Sequence, residues 1–156
     1  MTANVFVDTN VLIYAVDQAD LKKQLAAQSW RAWLWETNRG RISFQVLQEF
    51  YVIATKKQPS ANVEVRKEVS DLMAWQPIAL DADVIARAWK IEDRYDISFW
   101  DALIVAAAKI TSCRYLLTED LQSGQELDGV MVVNPFLSEP SKACFDKATR
   151  ISSTSS

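Results

Sequence analysis

Asn4-Val5-Phe6-Val7-Asp8 is a β-branched and aromatic run that ends abruptly in a carboxylate. The pattern predicts a short buried strand with an acid at its carboxyl end. Tyr115-Leu116-Leu117-Thr118 repeats it, with Glu119 and Asp120 directly behind. Val130-Met131-Val132-Val133, closed by Asn134-Pro135, is a third such run, and Arg41-Ile42-Ser43-Phe44 is a further candidate strand. Helical patterns lie between them. Leu21, Leu25, Ala26, Trp30, Trp33 and Leu34 recur at helical spacing, which predicts a helix over 20–38 with Gly40 as its C′ residue. Helices are also expected over 46–57, 63–75, 81–95 (capped by Asp81) and 98–110, with a brief extended piece at 77–80. Strands alternating with helices give an α/β domain with a mainly parallel central sheet. Ligands of such sheets bind beyond the carboxyl ends of the strands, which is where Asp8 and Asp120 fall.

The chain has 156 residues, 49% apolar and 24% charged. That suits one globular domain and excludes a disordered chain, a collagen-like repeat and a disulfide-stapled miniature. Cys113 and Cys144 match no zinc spacing and suggest no disulfide framework, so a reducing cytoplasm is the expected setting. There is no histidine, which removes Ser-His-Asp and Cys-His catalysis and every His-ligated zinc site. The start, MTANVFVDTN, has no basic, apolar leader pattern, and no apolar run approaches a membrane span. Charge is uneven: residues 21–67 hold nine Lys/Arg against three Asp/Glu, and residues 68–139 hold five against thirteen. Residues 138–156 are rich in serine and carry no apolar period; they read as a tail behind a domain of residues 1–137.

Four acids open apolar elements toward one sheet edge. Asp8 ends the first strand, a position that a helix cap or a turn also fills. Glu49 stands in the apolar stretch Val46-Leu47-Gln48-Glu49-Phe50, and an exposed helix position explains it equally. Asp101 in Ser98-Phe99-Trp100-Asp101 fits a capping box ahead of a helix that is apolar all round. Asp120 follows a strand, like any turn residue. Taken together they are a cluster, and clustered carboxylates repel by about 4 kcal/mol per pair at 4 Å and an effective dielectric near 20. Raised pKa values or a bound cation must answer that repulsion, and an all-oxygen set suits Mg²⁺ or Mn²⁺.

Val5-Phe6-Val7-Asp8-Thr9-Asn10-Val11-Leu12-Ile13-Tyr14 resembles the opening motif of PIN-domain ribonucleases. Ser98-Phe99-Trp100-Asp101-Ala102-Leu103-Ile104-Val105 resembles that family's third-acid helix. Leu116-Leu117-Thr118-Glu119-Asp120-Leu121 resembles its strand-end acid, and Val132-Val133-Asn134-Pro135-Phe136 its closing strand. The motifs come in family order across residues 3–137, and the single-domain form is similar to the VapC-type toxins of bacterial toxin–antitoxin pairs. The resemblance implies a three-layer α/β/α fold. It implies metal-dependent hydrolysis of RNA to 5′-phosphate and 3′-hydroxyl ends, with Asp8, Glu49, Asp101 and Asp120 as catalytic metal ligands. Thr9, Asn10 and Thr118 would orient those carboxylates, and motif position favours Asp120 over Glu119 as the fourth acid. It also implies a homodimer and an antitoxin partner. The Ser-rich tail departs from the family form.

Phosphate contacts fall to the basic segment, with Lys22, Lys23, Arg39, Arg41, Lys56 and Lys57 as candidates. Of the tryptophans crowding one helix, Trp30 reads as core, while Trp33 and Trp35 are candidates for an interface. Two rival readings remain: a PIN-like module kept only for binding, and an aspartate-based phosphatase. The latter expects a second Asp two residues after the first, where this chain has Asn10.

Overall fold

In the computed structural model, which describes residues 3–141, five strands form one sheet. They are β1 (Asn4–Val7), β2 (Gly40–Arg41), β3 (Cys113–Leu117), β4 (Glu126–Leu127) and β5 (Val130–Val133), in the order β2-β1-β3-β5-β4. β1 pairs in parallel with β2 and β3, and β3 with β5; β4 alone is antiparallel, against β5. Consecutive residues of β1 and β3 are buried whichever way they point, Val5, Phe6 and Val7 on one strand and Tyr115, Leu116 and Leu117 on the other. A parallel sheet requires this, because helices cover both its faces.

The helices are α1 (Thr9–Val16), α2 (Leu21–Thr37), α3 (Phe44–Lys57), α4 (Asn62–Leu72), α5 (Ala82–Tyr95) and α6 (Phe99–Ile110), with single 3₁₀ turns at Pro59–Ala61 and Met73–Trp75. Most match the sequence pattern, α5 and α6 almost to the residue. The cap of α5 is Asp81, which accepts the Val84 amide at 3.2 Å. No described helix is long and apolar enough to cross a membrane.

Four local features differ from the pattern. Residues 9–16, given no element by the sequence, form α1; its β-branched residues disfavour a helix, and burial of Val11, Leu12, Ile13 and Ala15 outweighs that preference. β2 is Gly40–Arg41 instead of 41–44, because the Ser43 hydroxyl accepts the Val46 amide at 3.2 Å and starts α3 at Phe44. The helix expected over 63–75 is α4 followed by the 3₁₀ turn, closed by Gln76 at φ 56°. Gly40 is not the C′ residue of α2, since Asn38 takes the left-handed position at φ 55°. A glycine is needed at position 40 because a Cβ there would lie 2.5 Å from the buried Trp75 indole.

Trp30 is core, as expected, at 1% exposure. Its indole N–H donates to the carbonyls of Pro135 (3.1 Å) and Ser138 (2.9 Å), so the segment after β5 is tied across α2. Pro140 is buried as well. Residues 138–141 therefore lie against the domain, and the rest of the Ser-rich segment lies outside the described residues.

Candidate active site

The chain leaves β1 toward β2 on one side and leaves β3 toward β5 on the other. Such a reversal opens a crevice at the carboxyl ends of the two strands. Asp8 follows β1 there, and Thr118 and Asp120 follow β3. The Asp8 amide donates to the Leu117 carbonyl at 3.0 Å, which carries the pairing one residue past β1.

Asp8 is the buried anchor. One oxygen accepts the Thr9 amide at 2.7 Å; the other accepts the Thr118 hydroxyl at 2.9 Å and the Asn10 side-chain amide at 3.3 Å. The same amide nitrogen donates to the Thr118 hydroxyl (3.1 Å) and to the exposed Asp120 carboxylate (3.0 Å). All three Asn10 contacts are acceptors, which fixes the amide orientation. Asn10 thus bridges two carboxylates that would otherwise repel. Its carbonyl oxygen is left buried with no partner among the described residues.

Glu49 reaches the edge from α3. One oxygen accepts the Thr9 hydroxyl at 2.9 Å, the other the Gln45 side-chain amide at 2.9 Å. Gln45 and Glu49 are four residues apart on one helix face, a spacing that could have marked Gln45 in the sequence. Asp101 is half-buried in the first turn of α6, and its amide donates to the Ser98 hydroxyl at 3.1 Å. Only that half of the capping box forms; the Asp101 carboxylate makes no hydrogen bond or ion pair among the described residues. α6 runs back to the start of β3 through two residues, so its first turn lies toward the edge where β3 ends. Its rise over twelve residues, about 18 Å, matches the length of the strand beside it.

Burial pushes the Asp8 carboxyl up to about 6, the Asp120 and Glu49 carboxylates push in the same direction, and the Thr118 hydroxyl and Thr9 amide pull against them. Among the described residues no three acids converge closely enough to hold an ion as they stand. Asp8, Asp120 and Glu49 are linked through Asn10 and Thr9, and Asp101 is joined to none of them by a hydrogen bond. Glu119 turns away and pairs with Lys23 at 2.9 Å. A cleft of about 850 Å³ runs along α5, but none of these acids lines it. They sit on an open edge, which suits a polymer better than an enclosed small molecule.

The basic candidates are largely engaged. Lys23 holds Glu119, Lys57 pairs with Asp17 at 3.0 Å, the Arg41 guanidinium donates to the Asn38 and Gly40 carbonyls, and Arg39 lies over the Trp33 ring. Lys22 and Lys56 are exposed.

The PIN domain family model matches residues 5–123. The chain belongs to the PIN domain family. The match spans Asp8, Glu49, Asp101 and Asp120. Among solved structures, this PIN domain is similar to a chain of a toxin–antitoxin complex from Klebsiella pneumoniae, with TM-score 0.61 and 23% identity over 85% of this chain and 98% of that one. It is also similar to VapC20 of Mycobacterium tuberculosis, a sarcin–ricin-loop-cleaving toxin, with TM-score 0.54 and 18% identity over 72% and 87% of the two chains. A third likeness is to VapBC2 of Rickettsia felis bound to a DNA fragment from its promoter, with TM-score 0.60 and 18% identity over 83% and 97%. No curated protein matches the sequence of this PIN domain.

Proposed function

We propose that the protein is a Mg²⁺- or Mn²⁺-dependent endoribonuclease, the toxin of a toxin–antitoxin pair, acting in the cytoplasm. The observation that carries this reading is the Asn10 amide, which holds the buried Asp8 and the exposed Asp120 together at the switch point of the sheet. PIN-family membership and the likeness to toxin structures support it.

The residues present fit a hard cation in the chemistry of their donors, and holding one would require the acid side chains to draw closer together. Every donor is oxygen. The Asn10 carbonyl oxygen is buried with no partner among the described residues, and burial, with Asp120 and Glu49 nearby, raises the Asp8 carboxyl. Asp8, Glu49, Asp101 and Asp120 would hold the ion. When bound, such an ion acidifies a water and neutralises charge on the phosphate. The protein's own residues do the rest. Thr9 N–H and the Thr118 hydroxyl fix the Asp8 carboxylate. Glu49, steered by Thr9 and Gln45, and Asp120, steered by Asn10, stand on the exposed rim, where one of them positions the attacking water. A route through the ribose 2′-hydroxyl would want imidazole as acid and base, and the chain has none.

The family reading also brings an antitoxin and a second copy of the chain. Of the two tryptophans considered for such a surface, Trp33 packs edge-on against Trp30 at 6.1 Å, whereas Trp35 is 46% exposed. The decisive experiment is cleavage of a structured RNA with and without EDTA. Wild type should cut only with Mg²⁺ or Mn²⁺, and Asp8→Asn and Asp101→Asn should each be folded and inactive. Undiminished cleavage in excess EDTA sinks the mechanism.

A further inference from the structure

Lys23 stands in the first turn of α2, where the helix dipole disfavours a cation; the N-cap Asp20 carboxylate accepts the Lys23 backbone amide at 3.1 Å and makes no bond to its ammonium. Its surroundings account for the placement. The ammonium lies 2.9 Å from the Glu119 carboxylate and 3.4 Å from the Tyr14 hydroxyl. It also sits over two rings, 4.8 Å from the centroid of Tyr14 and 5.0 Å from that of Phe136. Those rings pack edge to face at 5.1 Å. One ammonium therefore gathers α1, α2, the end of β3 and the segment after β5.

Glu119 is the middle of three residues whose outer two belong to the acid set. Thr118 bonds Asp8, and Asp120 bonds Asn10. Glu119 lies between them with its side chain drawn to Lys23, while the Asp120 amide donates to the Thr118 hydroxyl at 3.1 Å and the Asp120 carboxylate accepts from Asn10 at 3.0 Å. The geometry points to Lys23 as a positioning residue: the Lys23–Glu119 pair, seated in the Tyr14–Phe136 ring cage, aims Asp120 and keeps Glu119 out of the metal set. This rests on the metal-dependent reading above. A single half-buried surface ion pair contributes little to stability, so its effect belongs in the metal site and not in the melting temperature.

The test is Mn²⁺ binding by the full chain, read from the electron paramagnetic resonance of free Mn²⁺, beside thermal melts in EDTA. Lys23→Met should bind Mn²⁺ about tenfold more weakly or worse, the range for groups that orient metal ligands, while melting within a few degrees of wild type. Lys23→Arg should recover most of the affinity, and Glu119→Gln should weaken it in the same direction but less. In an Asp120→Asn background, Lys23→Met should have no further effect, because the residue through which it acts is gone. Unchanged or tighter binding by Lys23→Met, or the same loss in the Asp120→Asn background, overturns the inference. A wild-type chain that binds no Mn²⁺ overturns the metal reading itself, and this inference with it.

Discussion

Asn10 separates two carboxylates with one amide, and its removal should be felt in the metal-free protein. Asn10→Ala leaves Asp8 and Asp120 facing each other and strips a partly buried hydrogen bond from Asp8. We expect a loss of about 1–3 kcal/mol in urea melts with EDTA, together with loss of cleavage. A variant as stable as wild type would show that the bridge carries no load. Asp8 gives the site a pH signature. Its carboxyl titrates near 6 in the fold against about 4 in the unfolded chain, so the folded state holds the extra proton between those values. Asp8 therefore opposes folding fully above pH 6, and the opposition fades as pH falls toward 4. Subtracting the stability of Asp8→Asn from that of wild type in EDTA should give a difference that rises by up to about 3 kcal/mol from pH 7 to 4. A flat difference curve counts against a strongly raised carboxyl. With metal present the sign reverses, and binding should fail as Asp8 protonates below pH 6. Asp8, Asp101 and Asp120 were visible in the sequence as acids opening apolar elements. Glu49 was weak alone and gained weight only from its company. Lys23 was visible only as one basic residue among several, because nothing in a linear chain shows that it meets Glu119 across 96 positions.

Helices with a clear apolar period were legible, and so were strands of four residues or more. What escaped was set by contacts distant in sequence or by very short pieces. α1 carries Val11, Ile13 and Val16, which favour a strand, and only burial makes the segment a helix. β4 is two residues long, but Asp128-Gly129 behind it is a tight-hairpin signal, and both residues take positive φ, 52° and 85°. Gly40 looked like a helix terminator because its neighbours are polar, yet its reason is the Trp75 indole from far along the chain. Gly40→Ala should therefore destabilise by about 1–3 kcal/mol, the usual cost of forcing volume into a packed site. Asn38→Gly, at the true left-handed position, should be neutral or mildly stabilising. Chemical denaturation of both variants decides it: equal stability for Gly40→Ala and wild type would mean that Trp75 gives way.

Trp30 ties α2 to the segment after β5, its indole donating to the Pro135 and Ser138 carbonyls. In the sequence, residues 138–156 read as a tail behind a domain that ends at residue 137. The structure places an acceptor and the buried Pro140 beyond that point. A chain ending at Leu137 should therefore melt several degrees below one ending at Ser141, in paired thermal scans; coincident transitions would mean that the Pro135 carbonyl alone satisfies the indole. The order of the acids along the chain has a different consequence. Asp8 and Glu49 precede α4, and Asp101 and Asp120 follow it. A break in the Pro77–Leu80 stretch leaves each fragment with half of the set and divides the sheet at the β1–β3 pairing, with β1 and β2 in one piece and β3, β4 and β5 in the other. Neither piece alone can assemble the site. Two halves expressed from separate transcripts should be inactive apart and active once reunited, which would make the split PIN domain a coincidence detector.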